Sequence, residues 1–248
     1  MMPMDIGGRV TPCRFGCWPK YTPQRDLVLV YNTTMTEKKS IDSNHLHDEQ
    51  SMTKITVYAS SSAALKPVYY EAARRTGEVL ADAGMSIVYG AGGSGLMGSV
   101  ANGALSKNGR VYGIVPQFLQ DLELTHRGLT KLQVVSDMHT RKRLMLEDAH
   151  AVVTLPGGCG TYEELFEAFT LKRLGQWMGP IVLVNTAGFY DRLIQFLEHS
   201  VEERFMGSSH LKMWSVVDDP DQLIEALETA PAWNSDALYF ANVTPANA

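Results

Sequence analysis

From Lys54 onward, apolar residues fall into short β-branched runs separated by longer amphipathic stretches. Strands are expected over residues 55–59, 86–89, 111–115, 132–135, 151–155, 181–184 and 214–217, each bounded by glycine, proline, serine or charged residues. Between them, helical spacing predicts helices over 67–83, from Gly98 to about Lys107, from Met138 to about Ala149, from Thr161 towards Leu174, over 190–203 and over 220–229. The first carries Tyr70, Ala73, Gly77, Leu80 and Ala81 on one face and stops at Gly84. The one over 190–203 carries Leu193, Ile194, Leu197 and Val201 on one face. Residues 117–130 show no regular period. Strands alternating with helices at this spacing predict an α/β fold: a single doubly wound, Rossmann-like, mostly parallel sheet with helices on both faces.

The pattern also divides the chain. Residues 1–52 mix proline, glycine, threonine, asparagine and balanced charges around one short apolar run at 27–31, and are read as a disordered, dispensable extension. Met52, directly before the first strand, is an alternative start. Residues 53–230 form the folded domain, and residues 231–248 read as a loose tail.

In such sheets ligands bind beyond the carboxyl ends of the strands. Three loops meet there: Ser60-Ser61-Ser62, the glycine run from Gly90 to Gly98, and Pro156-Gly157-Gly158-Cys159-Gly160-Thr161. The last runs into a helix, so bare backbone N–H groups and the helix dipole make an anion site. Thr161 and Glu164 fit a capping box, with Thr161 as N-cap. Capping alone leaves Pro156 and three glycines unexplained, and Glu164 is therefore read as chemical, with Glu163 beside it. Arg141 and Lys142 lie at the start of a helix capped by Asp137, where positive charge opposes the dipole and a phosphate partner offsets the cost.

Gly90-Ala91-Gly92-Gly93-Ser94-Gly95 formally matches the dinucleotide fingerprint G-x-G-x-x-G. It follows the second strand rather than the first, and no acid stands about twenty residues on, where a ribose hydroxyl needs one. A loop that approaches phosphate or ribose through Gly92 and Gly93 is the preferred reading.

Composition narrows the function classes. The 248 residues are 45% hydrophobic and 20% charged, with a net charge of −5 and a pI near 5.8, which argues against a broad nucleic-acid surface. Cys13, Cys17 and Cys159 form no disulfide framework or metal pattern, and a cytoplasmic compartment is expected. No run is apolar enough to span a membrane.

Pro156-Gly157-Gly158-Cys159-Gly160-Thr161-Tyr162-Glu163-Glu164 resembles the P-G-G-x-G-T-x-x-E signature of the LOG family, the cytokinin riboside 5′-monophosphate phosphoribohydrolases. Met138-His139-Thr140-Arg141-Lys142 resembles that family's M-H-x-R-K motif, and Gly92 to Gly98 its G-G-x-x-G-L-M-G loop. Ala59-Ser60-Ser61-Ser62 departs from the family's C-G-S-S turn. The resemblance implies an N-glycosyl hydrolase that cleaves adenosine 5′-monophosphate, plain or N6-modified, to free base and ribose 5-phosphate, as in cytokinin biosynthesis or an AMP nucleosidase. Arg141 and Glu164 are the implied catalytic pair. Substrate contacts are implied for Glu123, Lys142, Gly158, Cys159, Gly160, Thr161, Tyr162, Glu163, Thr170, Gly92 and Gly93. Neither metal nor organic cofactor is implied, and a cytoplasmic homodimer acting on a small nucleotide, with no nucleic acid or membrane partner, is expected. The alternative is a non-catalytic nucleotide or molybdenum-cofactor carrier with the same phosphate loop.

Overall fold

The computed structural model describes residues 53–122, 125–233 and 236–237; the extension over 1–52 and Glu123 lie outside them. Seven strands form one sheet: β1 Lys54–Tyr58, β2 Ser86–Tyr89, β3 Val111–Pro116, β4 Lys131–Val135, β5 Ala151–Thr154, β6 Ile181–Val184 and β7 Ser215–Val217. Their order is β4-β3-β2-β1-β5-β6-β7 and every pairing is parallel. The helices are α1 Pro67–Asp82, α2 Gly95–Ser106, α3 Gln117–Gln120, α4 Met138–Glu147, α5 Cys159–Arg173, α6 Asp191–Glu202 and α7 Leu223–Glu228.

The short β-branched runs become strands because both sheet faces are buried, as parallel sheets require. On one face Ile55, Val57, Ile87, Tyr89 and Val153 pack beneath α1, α2 and α7. On the other, Tyr58, Val88, Ile114 and Val152 pack against Met145 and Leu146 of α4, Leu165 and Phe169 of α5, and Leu197 of α6. β1 pairs with β2 on one side and β5 on the other, so the chain reverses direction between β1 and β5. That reversal leaves a crevice at the carboxyl end of the sheet.

Several boundaries differ from the sequence reading. Residues 117–130 include the one-turn helix α3 straight after β3. Pro220 opens a 3-10 turn, Pro220–Gln222, capped by Asp219, and only then does α7 begin. A further 3-10 helix, Ser208–Met213, precedes β7 and carries no strong period. Beyond Pro231, Trp233 is tied down: its indole N–H donates to the Lys172 carbonyl at 2.7 Å. Ala237 is fully buried. Among the described residues, no helix is long and apolar enough to cross a membrane.

Candidate active site

β5 ends at Thr154, and Leu155, Pro156 and Gly157 carry the chain into α5. The capping-box expectation fails here. The N-cap is Gly158, in extended geometry, and the helix starts at Cys159, so Thr161 already lies in the first turn. Thr161 turns its side chain back onto Gly157, where an added Cβ would stand 2.1 Å from its Oγ1. No side chain caps α5, so its first N–H groups lack intrahelical partners. An added Cβ at Gly158 or Gly160 would meet nothing within 4 Å. Gly158, Cys159 and Gly160 are all exposed. A bare helix start facing open space is a place for an anion.

Glu164, released from capping, is 8% exposed and faces inward. Its Oε1 lies 3.5 Å from Arg141 Nη2. Burial pushes the Glu164 carboxyl up to about 7; Arg141 opposes that shift and Glu163 adds to it. A carboxyl that changes charge near neutrality is poised for acid–base work. Tyr58, buried at the end of β1, has its phenol pushed well above 10, first by burial and then by the Glu164 charge.

Arg141 is positioned by α4. Asp137 caps that helix, with its Oδ1 accepting the Thr140 N–H at 2.9 Å, and Arg141 Nε donates to the Ile114 carbonyl at 3.2 Å. The guanidinium lies over Gly90, whose added Cβ would fall 1.9 Å from Nη2. Gly90 is thus the space in which Arg141 sits. The periodicity of the chain holds no signal for this, since the two residues are fifty-one positions apart.

Lys142 is already partnered. Its ammonium bonds Glu163 and lies 3.0 Å from Glu167 Oε2, with its side chain 10% exposed. Burial pulls its pKa down, but the two carboxylates outweigh this and the net direction is up. The cost of positive charge at the start of α4 is thus offset for Lys142 by α5. Tyr162 is half-buried and Glu163 exposed in the first turns of α5. Thr170 stands apart: nine residues beyond Thr161, it is roughly 13 Å along the helix, and its hydroxyl donates to the Phe166 carbonyl at 2.8 Å.

The other glycine loop is differently engaged. The N–H groups of Leu96 and Met97, which open α2, both donate to the Ser60 carbonyl, at 2.9 and 3.2 Å. Gly95, with φ +60, brings the backbone against Ser60 to Ser62. Gly92 is buried against Met97, while Gly93 is exposed at the mouth. Two of the N–H groups that a dinucleotide fingerprint would offer to pyrophosphate are therefore taken by the protein's own backbone.

A cleft of about 260 Å³ lies at the β1/β5 reversal, bounded by Ser60, Ser62, Tyr69, Gly157, Gly158 and Phe189. Tyr69 and Phe189 meet edge to face with ring centroids 6.0 Å apart. Sequence reasoning missed both; the signal available for Phe189 was its place just after β6. A second cleft of about 250 Å³, among Lys54, Lys131 and Asp148, takes in none of the site residues. Among the described residues, no group of three or more His, Cys, Asp or Glu could hold a metal.

The fold and this site define a doubly wound α/β protein with an uncapped helix start facing open space and a buried arginine–carboxylate pair beside it. Residues 97–227 match the family model described as "Possible lysine decarboxylase". Over 175 residues the chain is 36% identical to the cytokinin riboside 5′-monophosphate phosphoribohydrolase LOG2 of Arabidopsis thaliana, covering 71% of this chain and 82% of the relative. The corresponding enzyme of Rhodococcoides fascians is 38% identical over 176 residues, 71% of this chain and 89% of its own length. The chain belongs to the LOG family of cytokinin riboside 5′-monophosphate phosphoribohydrolases. Its fold is also that of the molybdenum cofactor carrier protein of Chlamydomonas reinhardtii, at 18% identity and a TM-score of 0.57 over 72% of this chain and 98% of that one. The solved structure of TM1055 aligns at 23% identity and a TM-score of 0.56, over 71% of this chain and 99% of that one.

Proposed function

We propose that the protein hydrolyses the N-glycosidic bond of adenosine 5′-monophosphates, N6-modified or plain, releasing the free base and ribose 5-phosphate. The observation that carries this reading is the buried Arg141–Glu164 pair placed beside an uncapped helix start. The N–H groups at Gly158, Gly160 and Thr161 hold the 5′-phosphate, with Cys159, Tyr162 and Gly93 at the rim. As the C1′–N bond breaks, its electron pair leaves with the base and positive charge develops on the ribose ring. Ionised Glu164 stabilises that charge and takes a proton from the attacking water, whose oxygen bonds C1′. The proton taken up by Glu164 passes to the departing base, directly or through water, which restores the carboxylate, and Arg141, which stays charged, orients Glu164 and supports phosphate or base.

A carrier built on the same sheet needs the cradle but has no use for a buried carboxylate poised near neutrality, so hydrolysis is the better reading. The test is incubation with AMP and isopentenyl-AMP, followed by chromatography for free base. Release of base that disappears in Arg141→Ala and Glu164→Gln supports the assignment; tight nucleotide binding without base release would support a carrier. We further infer a cytoplasmic homodimer; light scattering measures the oligomeric state and cell fractionation the compartment.

A further inference from the structure

Arg141 and Lys142 are adjacent on α4, yet they meet different carboxylates of α5. Arg141 Nη2 faces Glu164 at 3.5 Å. Lys142 Nζ bonds Glu163 and lies 3.0 Å from Glu167 Oε2. Glu163 and Glu167 are four residues apart, so successive helical turns present their carboxylates on one side of α5. Glu164 points from the same helix to its buried side. With Glu164 ionised, three carboxylates oppose two cations and the cluster carries one net negative charge. That balance favours a developing positive charge on a substrate ring.

We propose that Glu167 is a positioning residue of the site: with Glu163 it holds the Lys142 ammonium on the outer flank of α5 and leaves Arg141 as the cation that faces Glu164. The inference rests on the reading of Glu164 as the reacting carboxylate. The charged and titratable groups around Glu164 are Arg141 and Lys142 from α4, Glu163 and Glu167 from α5, and the Tyr58 phenol from β1. Removing the Glu167 charge takes away one group that holds the Glu164 proton on and leaves Lys142 with Glu163 as its one partner, so that less of its charge is neutralised and more of it acts on the Glu164 carboxylate. Both effects act in one direction, towards ionisation at lower pH.

The experiment compares Glu167→Gln and Glu167→Asp in the full-length protein by two readouts. One is the acid limb of kcat/KM for base release; the other is the carboxyl carbon NMR titration of Glu164 without substrate, its signal assigned by its loss in Glu164→Gln. In Glu167→Gln both midpoints fall by about half a pH unit or more, as expected for a partly screened charge, while the plateau of kcat/KM stays within a few-fold. Glu167→Asp keeps its charge and titrates near the wild type, and Glu163→Gln shifts in the same direction as Glu167→Gln. An unmoved midpoint in Glu167→Gln, or an equal shift in the Asp variant, overturns the proposal. A wild type that releases no base while the NMR midpoint still moves overturns the functional reading instead.

Discussion

Glu164 makes stability and activity respond to pH in opposite directions. Its carboxyl titrates at about 7 in the folded protein, against 4.5 for an unperturbed glutamate, chiefly because it is buried. The folded state therefore binds this proton more tightly than the unfolded chain. Its stabilising contribution is complete below pH 4.5 and is lost as pH rises through about 7. The shift of about 2.5 units corresponds to about 3 kcal/mol at 1.36 kcal/mol per unit. In the proposed mechanism activity needs the ionised form: roughly a tenth of the protein carries it at pH 6 and roughly nine-tenths at pH 8. Urea unfolding between pH 4.5 and 8, followed by tryptophan fluorescence, measures the first effect, and base release over the same range measures the second. Glu164→Gln has no such proton, so the wild type should lose about 3 kcal/mol relative to the variant across this window. The wild-type kcat/KM should climb about tenfold between pH 6 and 8 while the variant stays inactive. A stability difference that is flat in pH, or a wild-type rate with no limb between 6 and 8, would refute the burial argument.

Gly90→Ala places a methyl group where the Arg141 guanidinium lies; turnover should fall at least roughly tenfold, with the circular dichroism spectrum unchanged. Gly158→Asp adds a good N-cap to α5 at a position with open space and ordinary extended backbone. Its melting temperature should hold or rise by a few degrees while KM for the nucleotide rises by about tenfold or more, because a carboxylate occupies the phosphate cradle; unchanged KM would show that the phosphate binds elsewhere. Deleting residues 1–51 should leave base release and melting temperature almost unchanged, and a large loss in either assigns the extension a structural role.

The sheet was legible because buried parallel strands read as short β-branched runs, as at residues 151–154 and 181–184, and because glycine and proline mark their ends. The convergence of three loops on one edge followed from topology alone. What the chain could not display was partnership across it. Thr161 and Glu164 match a capping box letter for letter, yet Gly158 adopts the extended geometry of an N-cap and moves the helix start three residues forward. Lys142 looked available for phosphate because its carboxylates lie twenty-one and twenty-five residues away on another helix. Gly90 looked like part of a nucleotide fingerprint, although its absent side chain makes room for a guanidinium. The Lys142 and Gly90 misses concern residues whose role is set by a neighbour distant in sequence, whereas the capping miss is a local choice between two possible helix starts.

The Ser60 carbonyl, accepting from both Leu96 and Met97, has a consequence for what the crevice can count. Two helices, α2 and α5, begin at the same edge of the sheet, and a fold with both ends vacant could grip two phosphates at once. Here a single oxygen of the main chain takes two N–H groups of one of them, without charge. The uncapped start at Gly158 and Gly160 is the vacancy to which the proposed function assigns one phosphoryl group. On the proposed reading a mononucleotide needs only that vacancy, whereas the second phosphate of a dinucleotide would arrive at a helix end where two of the N–H groups are already taken.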